Sequence, residues 1–195
     1  MVLIMKTAQK LLVFWLIIMF LVAFTSSLVY LVAQQTVRLG ANEQPMQLAM
    51  DTEINLEKGQ SAVQAIPANN VDISKSLSPF VMVFDINKNL LTTSGMIGSS
   101  KPTYPKGILD SIDKNGEDRV TWQPQQGLRY ATVAIKFTGG YIVAGRSLSE
   151  TEKLIDEIGK VVLLAWFACT IFSVFALIVI YIFIIKVFKT RQKIS

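Results

Sequence analysis

Histidine is absent from the 195-residue chain, and cysteine occurs once, at Cys169. The lack of an imidazole excludes Ser-His and Cys-His catalysis, histidine-ligated zinc or haem, and a phosphorylated histidine. A single cysteine excludes a disulfide within the chain. Charge is also scarce, because only 17% of the residues are Asp, Glu, Lys or Arg, against about 25% in soluble domains. This shortage indicates that part of the chain lies outside water.

Two long apolar runs account for the shortage of charge. No charged residue occurs in the 27 positions between Lys10 and Arg38, or in the 25 positions between Lys160 and Lys186. Each run exceeds the roughly 20 residues that a helix needs to cross a hydrocarbon core about 30 Å thick. Buried core helices are the disfavoured alternative, because they are usually shorter and carry a polar stripe. We therefore predict two transmembrane helices, at residues 11–34 and 161–186.

A cleaved signal peptide is the alternative for the first run, because Lys6 and Lys10 precede it as a basic start. Its apolar stretch, however, is about twice the usual 7 to 15 residues. No clean small-x-small cleavage site closes it either. These two features favour an uncleaved anchor.

Basic residues flank the two runs without acidic neighbours. The flanks carry six of them: Lys6, Lys10, Lys186, Lys189, Arg191 and Lys193. All 14 Asp and Glu lie between the runs with 13 Lys and Arg, so that segment has a net charge of −1. By the positive-inside rule, the tails 1–10 and 187–195 are expected in the cytoplasm of a cell-membrane protein, and residues 35–160 outside it. The overall charge of +5 thus reports topology and gives no support to nucleic-acid binding.

The segment between the runs is long enough to bury its own core and begins with a helix signal. Met46, Met50 and Ile54 repeat at four-residue spacing, which predicts a helix within 41–60 that carries one apolar stripe. Asn42 is a candidate cap, and Pro45 fits the first turn.

Strand signals dominate the rest of that segment. A short helix is predicted at 105–112, the third strand is expected to end at Pro124, and Gly139-Gly140 is the predicted hairpin turn. Together the elements predict an α+β fold, an antiparallel five-stranded sheet with flanking helices inserted between two transmembrane helices. The predicted strands cover residues 80–84, 90–93, 119–123, 129–137 and 141–144.

The last predicted element connects the sheet to the second apolar run. Ser149 and Glu152 have the spacing of a capping box, and no proline follows before the run. One helix is therefore expected from Glu150 to about Phe188, roughly 60 Å at 1.5 Å per residue.

The order of these elements resembles a known group of proteins. The first strand ends in Asp85 with Asn87 and Asn89 in its turn, and the sheet ends in the stretch from Gly140 to Glu150, GYIVAGRSLSE. Residues 34–190 resemble the extracytoplasmic PAS-like (PDC or Cache) sensor regions of bacterial membrane signalling proteins such as histidine kinases. About nine residues follow the second run, so the resemblance implies a detection domain and not kinase activity.

The resemblance also implies a small-ligand site between the sheet and the long segment that connects its strands. Arg129 shares a strand face with Ala131 and Val133, so its guanidinium could clamp a carboxylate at the rim of the apolar face. The alternative, which we favour, places Trp122 in the core. It pairs Arg129 with a neighbouring acid, and Arg146 caps or pairs near the exit helix. The candidate ligand-binding residues are Tyr104, Trp122, Arg129, Tyr130, Tyr141 and Arg146.

Catalytic and metal motifs are incomplete. The Asp85-x-Asn87-x-Asn89 spacing starts like a calcium loop, but Leu90 stands where glycine is needed and Met96 where a bidentate Glu is needed. Ser111 and Lys114 form an S-x-x-K without its partner motifs. An anchored hydrolase would need a desolvated lysine beside Ser74, Ser100 or Ser111. We expect no enzymatic activity, no metal and no cofactor.

Small residues recur at four-residue spacing in the second run, at Ala165, Cys169 and Ser173. This spacing favours close helix packing, either between the two spans or in a homodimer, with Cys169 as a packing residue.

Together these features predict a two-pass membrane protein that detects a small ligand or a partner and relays the change to another membrane protein. The alternative is a non-sensing accessory or assembly subunit of a membrane complex.

Overall fold

The structure, a computed structural model, describes the backbone of residues 2–194 and the side chains of residues 8–187 and 190. The side chains of the predicted basic flanks Lys6, Lys189, Arg191 and Lys193 lie outside this described part. The chain divides into two compact units. We call Met1–Gln34 with Ile155–Ser195 the helical unit and Gln35–Leu154 the sheet domain.

Five helices and seven strands form in the described residues. The helices are α1 (Val2–Gly40), α2 (Glu43–Glu57), α3 (Ala62–Ala65), α4 (Lys106–Asn115) and α5 (Ser149–Ile194). The strands are β1 (Val71–Asp72), β2 (Phe80–Asp85), β3 (Leu90–Thr93), β4 (Gly95–Met96), β5 (Glu117–Gln125), β6 (Leu128–Phe137) and β7 (Gly140–Ser147).

Both long helices contain a stretch that is long and apolar enough to cross a membrane. Large apolar side chains such as Phe20, Leu164 and Phe172 are exposed along them. A surface of this kind is stable in lipid and unfavourable in water. The prediction of two apolar helices that flank a sheet is confirmed, and α5 runs through Gly159 without a break.

The main sheet is antiparallel throughout and has the strand order β3-β2-β7-β6-β5. The predicted α+β class and five-stranded antiparallel sheet are therefore confirmed. Successive side chains of each strand point to opposite faces of the sheet, so buried residues lie on both faces. One face packs Phe80, Met82 and Tyr130 against Leu109 and Ile112 of α4. The opposite face is covered by α2, whose Ala49 is fully buried.

The α2 helix meets the sheet through a different stripe from the predicted one. Pro45, Ala49 and Thr52 are buried, whereas Met50 and Ile54 are 48% and 47% exposed. Of the predicted stripe, Met46 packs partly buried against this core, as do Leu48 and Leu56. The small Ala49 lies innermost, and the second half of the predicted stripe faces outward. The Asn42 side chain does not cap the helix.

Three boundaries in the strand region also differ from prediction. Strand β5 continues through Pro124 because it is an edge strand, where proline removes no ladder hydrogen bond, and a register shift lies between Trp122 and Gln125. Phe137 pairs with Gly140, so the two-residue turn is Thr138-Gly139. Helix α4 extends to Asn115, and Gly116 follows it with a φ of +79°.

Three small elements lie outside the elements predicted from the sequence. Strands β1 and β4 form a parallel pair in which Val71 lies opposite Gly95, and α3 is a single turn that begins after Ser61. The β1–β4 pair holds the segment before β2 against the sheet domain, since the Val71 N–H donates to the Ser94 carbonyl over 2.7 Å.

Candidate functional site

Three of the six candidate ligand residues lie in the aromatic core. Tyr104, Trp122 and Tyr130 are all buried. The ring centroids of Tyr104 and Trp122 lie 5.5 Å apart, and those of Trp122 and Tyr130 lie 5.6 Å apart. Phe80 meets Tyr130 edge to face at 5.5 Å. These contacts are typical of stabilising aromatic packing, so the rings fill the space between the sheet and the connecting segment with the chain's own side chains.

The hydroxyl groups of these tyrosines are bonded internally. The Tyr130 hydroxyl donates to the Ile73 carbonyl over 2.7 Å and fastens the connecting segment to β6. The Tyr104 hydroxyl lies 3.0 Å from Thr132 Oγ1. Burial raises the pKa of Tyr104 to about 12, because a phenolate would lose its hydration there. Both side chains therefore act as neutral structural groups.

Tyr141 belongs to a charged cluster at one end of the sheet. Its hydroxyl donates to Asp113 Oδ1 over 2.8 Å, and Lys136 Nζ donates to the same oxygen over 2.7 Å. Lys88, which has a φ of +63°, reaches Asp113 Oδ2 over 3.2 Å and also pairs with Asp110. Hydrogen bonds from Lys136 and Tyr141 lower the pKa of Asp113. The cluster joins α4 to β6, to β7 and to the turn between β2 and β3.

Arg129 lies on the opposite sheet face from the aromatic core, and it forms an ion pair with Glu152 in the first turn of α5. Its backbone carbonyl accepts a hydrogen bond from Leu148 N–H over 2.8 Å. The sequence correctly places Arg129 on the face of Ala131 and Val133. The ion pair means that the Glu152 carboxylate now occupies the position on the guanidinium that a ligand carboxylate would take.

A polar cleft of about 260 Å³ lies beside this ion pair. Charged side chains of Lys75, Arg129 and Glu152 line it. Four serines also line it: Ser74, Ser76, Ser147 and Ser149. Ile73, Leu77 and Leu128 supply apolar surface. We call this feature the serine cleft.

Arg146 also lies on the α2 face of the sheet, directly opposite Ala131 in the β6–β7 ladder. Its guanidinium donates to Glu150 Oε2 over 2.8 Å. An open cleft of about 300 Å³ beside it is lined by Gly40, Ala41 and Leu154 among others. Arg146 therefore connects β7 to the first turn of α5.

The six candidate residues do not converge on one site. Arg129 stands at the start of β6, whereas Tyr141 lies opposite Lys136 near the end of that strand. Seven residues of strand span about 23 Å, so the Arg129 and Tyr141 backbones lie at opposite ends of the sheet. The two arginines and the aromatic core also occupy opposite faces.

The sequence does not single out several residues of the serine cleft and of the charged cluster around Asp113 as ligand candidates. Glu152 was assigned to a capping box, but its carboxylate binds Arg129, and the Ser149 N–H donates to Ser147 Oγ over 3.3 Å. Ser74 was considered only as part of a hydrolase pair, and its hydroxyl instead donates to Asp72 over 2.6 Å. Hydrophobic periodicity gives no signal for such side-chain pairs, because they join elements that are distant in sequence.

The Asp85–Asn89 segment forms a turn, as predicted. The Asp85 carboxylate accepts hydrogen bonds from the Asn89 N–H over 2.7 Å and from its side-chain amide over 3.1 Å. Those bonds lower the pKa of Asp85. Among the residues that the structure describes, no group of three or more acidic or cysteine side chains could hold a metal ion.

In the helical unit, Ser173 hydrogen-bonds to the other apolar helix, whereas Ala165 and Cys169, which share its predicted packing stripe, are exposed. Trp15 Nε1 donates to Ser173 Oγ over 3.1 Å, and Met19 Sδ lies 3.3 Å from the same oxygen. Gly159 also allows a close approach, since a Cβ there would lie 3.2 Å from the Tyr30 ring. The predicted packing between the two apolar helices therefore uses Ser173, while homodimer formation stays a prediction.

No protein-family model matches this chain, and neither a curated protein nor a solved structure matches it. The resemblance to PAS-like sensor regions therefore stays a prediction.

Proposed function

We propose that the chain is a two-pass membrane protein whose sheet domain lies outside the cytoplasm and acts as a PAS/Cache-like sensor. In this proposal a small ligand or a partner changes the sheet domain, and α5 passes the change to another membrane protein. The proposal assigns no reaction to the chain.

One observation carries the proposal: a single residue, Leu148, separates the last strand from the helix that contains the second apolar run. Leu148 is buried in a small cluster with Ala41 and Ala131. Its N–H is bonded to the Arg129 carbonyl over 2.8 Å. A junction this short and this well packed leaves little slack, so a shift of β7 is expected to move the start of α5.

Two ion pairs reinforce the junction. Arg129 of β6 pairs with Glu152, and Arg146 of β7 pairs with Glu150. Both pairs are partly exposed, and pairs of this kind contribute about 0.2–1 kcal/mol each. They are strong enough to bias the position of the first helical turn and weak enough for a bound ligand to disrupt them.

The proposed placement of the sheet domain outside the cytoplasm is tested by cysteine labelling. In a Cys169→Ser background, Ser100→Cys in the sheet domain and Lys10→Cys before the first apolar run are compared in intact cells. A membrane-impermeant maleimide is expected to label Ser100→Cys in intact cells and Lys10→Cys only after the membrane is opened. Labelling of Lys10→Cys in intact cells, with Ser100→Cys protected, would reverse the topology and overturn the proposal.

The relay is tested by photo-crosslinking from the exposed side of α5. A photoreactive residue at Phe172 is expected to capture a discrete membrane protein in the native host, and Arg129→Gln with Arg146→Gln should change the yield. The control, Arg119→Gln, removes an exposed pair with Glu117 on the edge strand and should leave the yield unchanged. An unchanged yield in the double variant would contradict a relay through these ion pairs.

An accessory or assembly subunit is the second candidate function, and the filled aromatic core favours it. Tyr104, Trp122 and Tyr130 occupy the place where the resemblance implies a ligand. If the crosslinked protein fails to assemble without the chain, and no ligand condition alters the crosslink, the accessory function is the correct one.

A further inference from the structure

We propose that the serine cleft binds a small carboxylate that also carries hydroxyl groups, such as a sugar acid, and that Glu152 is a built-in competitor for the carboxylate position. This inference rests on the proposed function and names the ligand class of the sheet domain.

The Arg129–Glu152 ion pair identifies the carboxylate position. The guanidinium of arginine has a planar fork of donors that matches a carboxylate, and the protein itself places a carboxylate there. Both side chains are partly exposed, at 46% and 43%. Glu152 can therefore leave Arg129 and regain hydration without disturbing the core. An incoming carboxylate then accepts hydrogen bonds from the same guanidinium N–H groups.

The serines identify the rest of the ligand. Ser76 Oγ accepts the Ser78 N–H over 3.1 Å, and Ser149 Oγ accepts the Ser147 hydroxyl over 3.1 Å. A serine hydroxyl is one donor with two acceptor positions. Within the described residues, the protons of Ser76 and Ser149 have no acceptor, so each can donate to a ligand hydroxyl. Lys75, which is exposed and pairs with Asp72 over 3.6 Å, is a second cation among the lining residues.

The size of the cleft limits the ligand. At about 260 Å³, it is just below the range of roughly 300–1,000 Å³ that is usual for drug-sized ligands. A sugar acid of metabolite size is compatible with this volume and offers several hydroxyls near one carboxylate. Because Glu152 lies in the first turn of α5, its release by such a ligand would free one of the two ion pairs at the junction.

Binding is tested on the full chain in detergent micelles by calorimetry, with gluconate and glycerate as probes and acetate and inorganic phosphate as comparators at equal ionic strength. Gluconate or glycerate is expected to bind more tightly than acetate and phosphate. Arg129→Gln should abolish this binding. The matched control Arg119→Gln, whose exposed pair on β5 has the same 46% exposure of the arginine side chain, should leave it unchanged.

Glu152→Gln supplies the decisive measurement because a competitor and a ligand-binding residue give opposite results. Removal of the competing carboxylate should tighten gluconate or glycerate binding about two- to fivefold, which corresponds to the strength of an exposed ion pair. Weaker binding in this variant would overturn the competitor role.

The ligand class is overturned if the sugar acids fail to bind both the native chain and Glu152→Gln, or if phosphate binds as tightly as they do. It is also overturned if Arg119→Gln weakens binding as much as Arg129→Gln. These outcomes leave the crosslinking result for α5 intact, so failure of the ligand class and failure of the relay are distinguishable.

Discussion

The Tyr141 hydroxyl donates a hydrogen bond to Asp113 Oδ1 over 2.8 Å, and this bond joins the start of strand β7 to α4. The same oxygen accepts from Lys136, and Lys88 approaches the second oxygen. One carboxylate thus organises the end of the sheet opposite to the serine cleft.

Asp113→Asn is expected to destabilise the sheet domain at neutral pH. The bonds from Lys136 and Tyr141 lower the pKa of Asp113 from its ordinary value of 3.8. The unfolded chain therefore takes up a proton first as the pH falls. The stabilisation is fully present above about pH 4 and is lost below it as the pH approaches the folded pKa. Thermal unfolding of the full chain in detergent, followed by Trp122 fluorescence in a Trp15→Phe, Trp166→Phe background, measures the difference.

Asp51→Asn is the control for this variant, because Asp51 is exposed and bonded only locally, to Gln47 over 2.8 Å. As a substitution at an exposed position, it should stay within about 0.5 kcal/mol of the parent at neutral pH. A gap between Asp113→Asn and its parent that stays constant from pH 7 to pH 2.5 would contradict the assigned role of the Asp113 charge.

Tyr104 is expected to ionise late in an alkaline titration. Burial raises its pKa from 10.0 to about 12, so the folded state resists a deprotonation that the unfolded chain undergoes at about pH 10. The contribution of neutral Tyr104 to the free energy of unfolding is fully present below about pH 10. It falls by about 2–3 kcal/mol in total between about pH 10 and 12. Phenolate absorbance should rise almost equally in Tyr104→Phe and in the native chain up to about pH 11, and above that pH the native chain should gain the absorbance of one further tyrosine. Equal absorbance curves for the two proteins would refute the assignment.

Ser94→Ala is expected to cost about 1–3 kcal/mol, the price of a buried unpaired amide. Ser94 Oγ accepts the N–H of fully buried Val81 over 3.0 Å, and the Ser94 backbone N–H returns a bond to the Val81 carbonyl over 2.9 Å. Alanine keeps the second bond and removes the first. Ser100→Ala, at an exposed position, is the control and should stay within about 0.5 kcal/mol of the parent. A loss of the same size in both variants would disprove the specific role of Ser94.

The strands and the long helices were predictable because their signals are local. Alternation along β6 and the charge-free stretches of α1 and α5 repeat over enough residues to determine an element without tertiary contacts. The orientation of α2 was not predictable in the same way. Met50 and Ile54 have the helical spacing of a core stripe, but they face outward, and Ala49 lies innermost on the helix.

The side-chain pairs of the serine cleft and of the charged cluster were harder to predict from the sequence, because the paired residues come from elements that are distant along the chain. Arg129 and Glu152 are 23 positions apart, and the sequence offered several acids for either arginine. Ser94 gave no signal, since its role depends on the placement of the β1–β4 pair beside β2. The aromatic candidates were correctly placed on or near strands, but only tertiary packing decides whether such rings line a cavity or fill it.

Ser173→Ala is expected to weaken the association of α1 and α5 by about 0.6 kcal/mol and at most about 1.7 kcal/mol, the range measured for hydrogen bonds between membrane helices. Trp15 Nε1 donates to Ser173 Oγ across the two helices over 3.1 Å. In the membrane proposed for these helices, no water would replace the lost acceptor of the indole. Ser27→Ala is the matched control, because the Ser27 hydroxyl is bonded within its own helix to the Ala23 carbonyl over 2.8 Å. Unfolding of the full chain by SDS, followed by Trp15 fluorescence in a Trp122→Phe, Trp166→Phe background, should show a lower midpoint for Ser173→Ala than for Ser27→Ala. Equal midpoints would mean that the Trp15–Ser173 bond does not stabilise the helix pair.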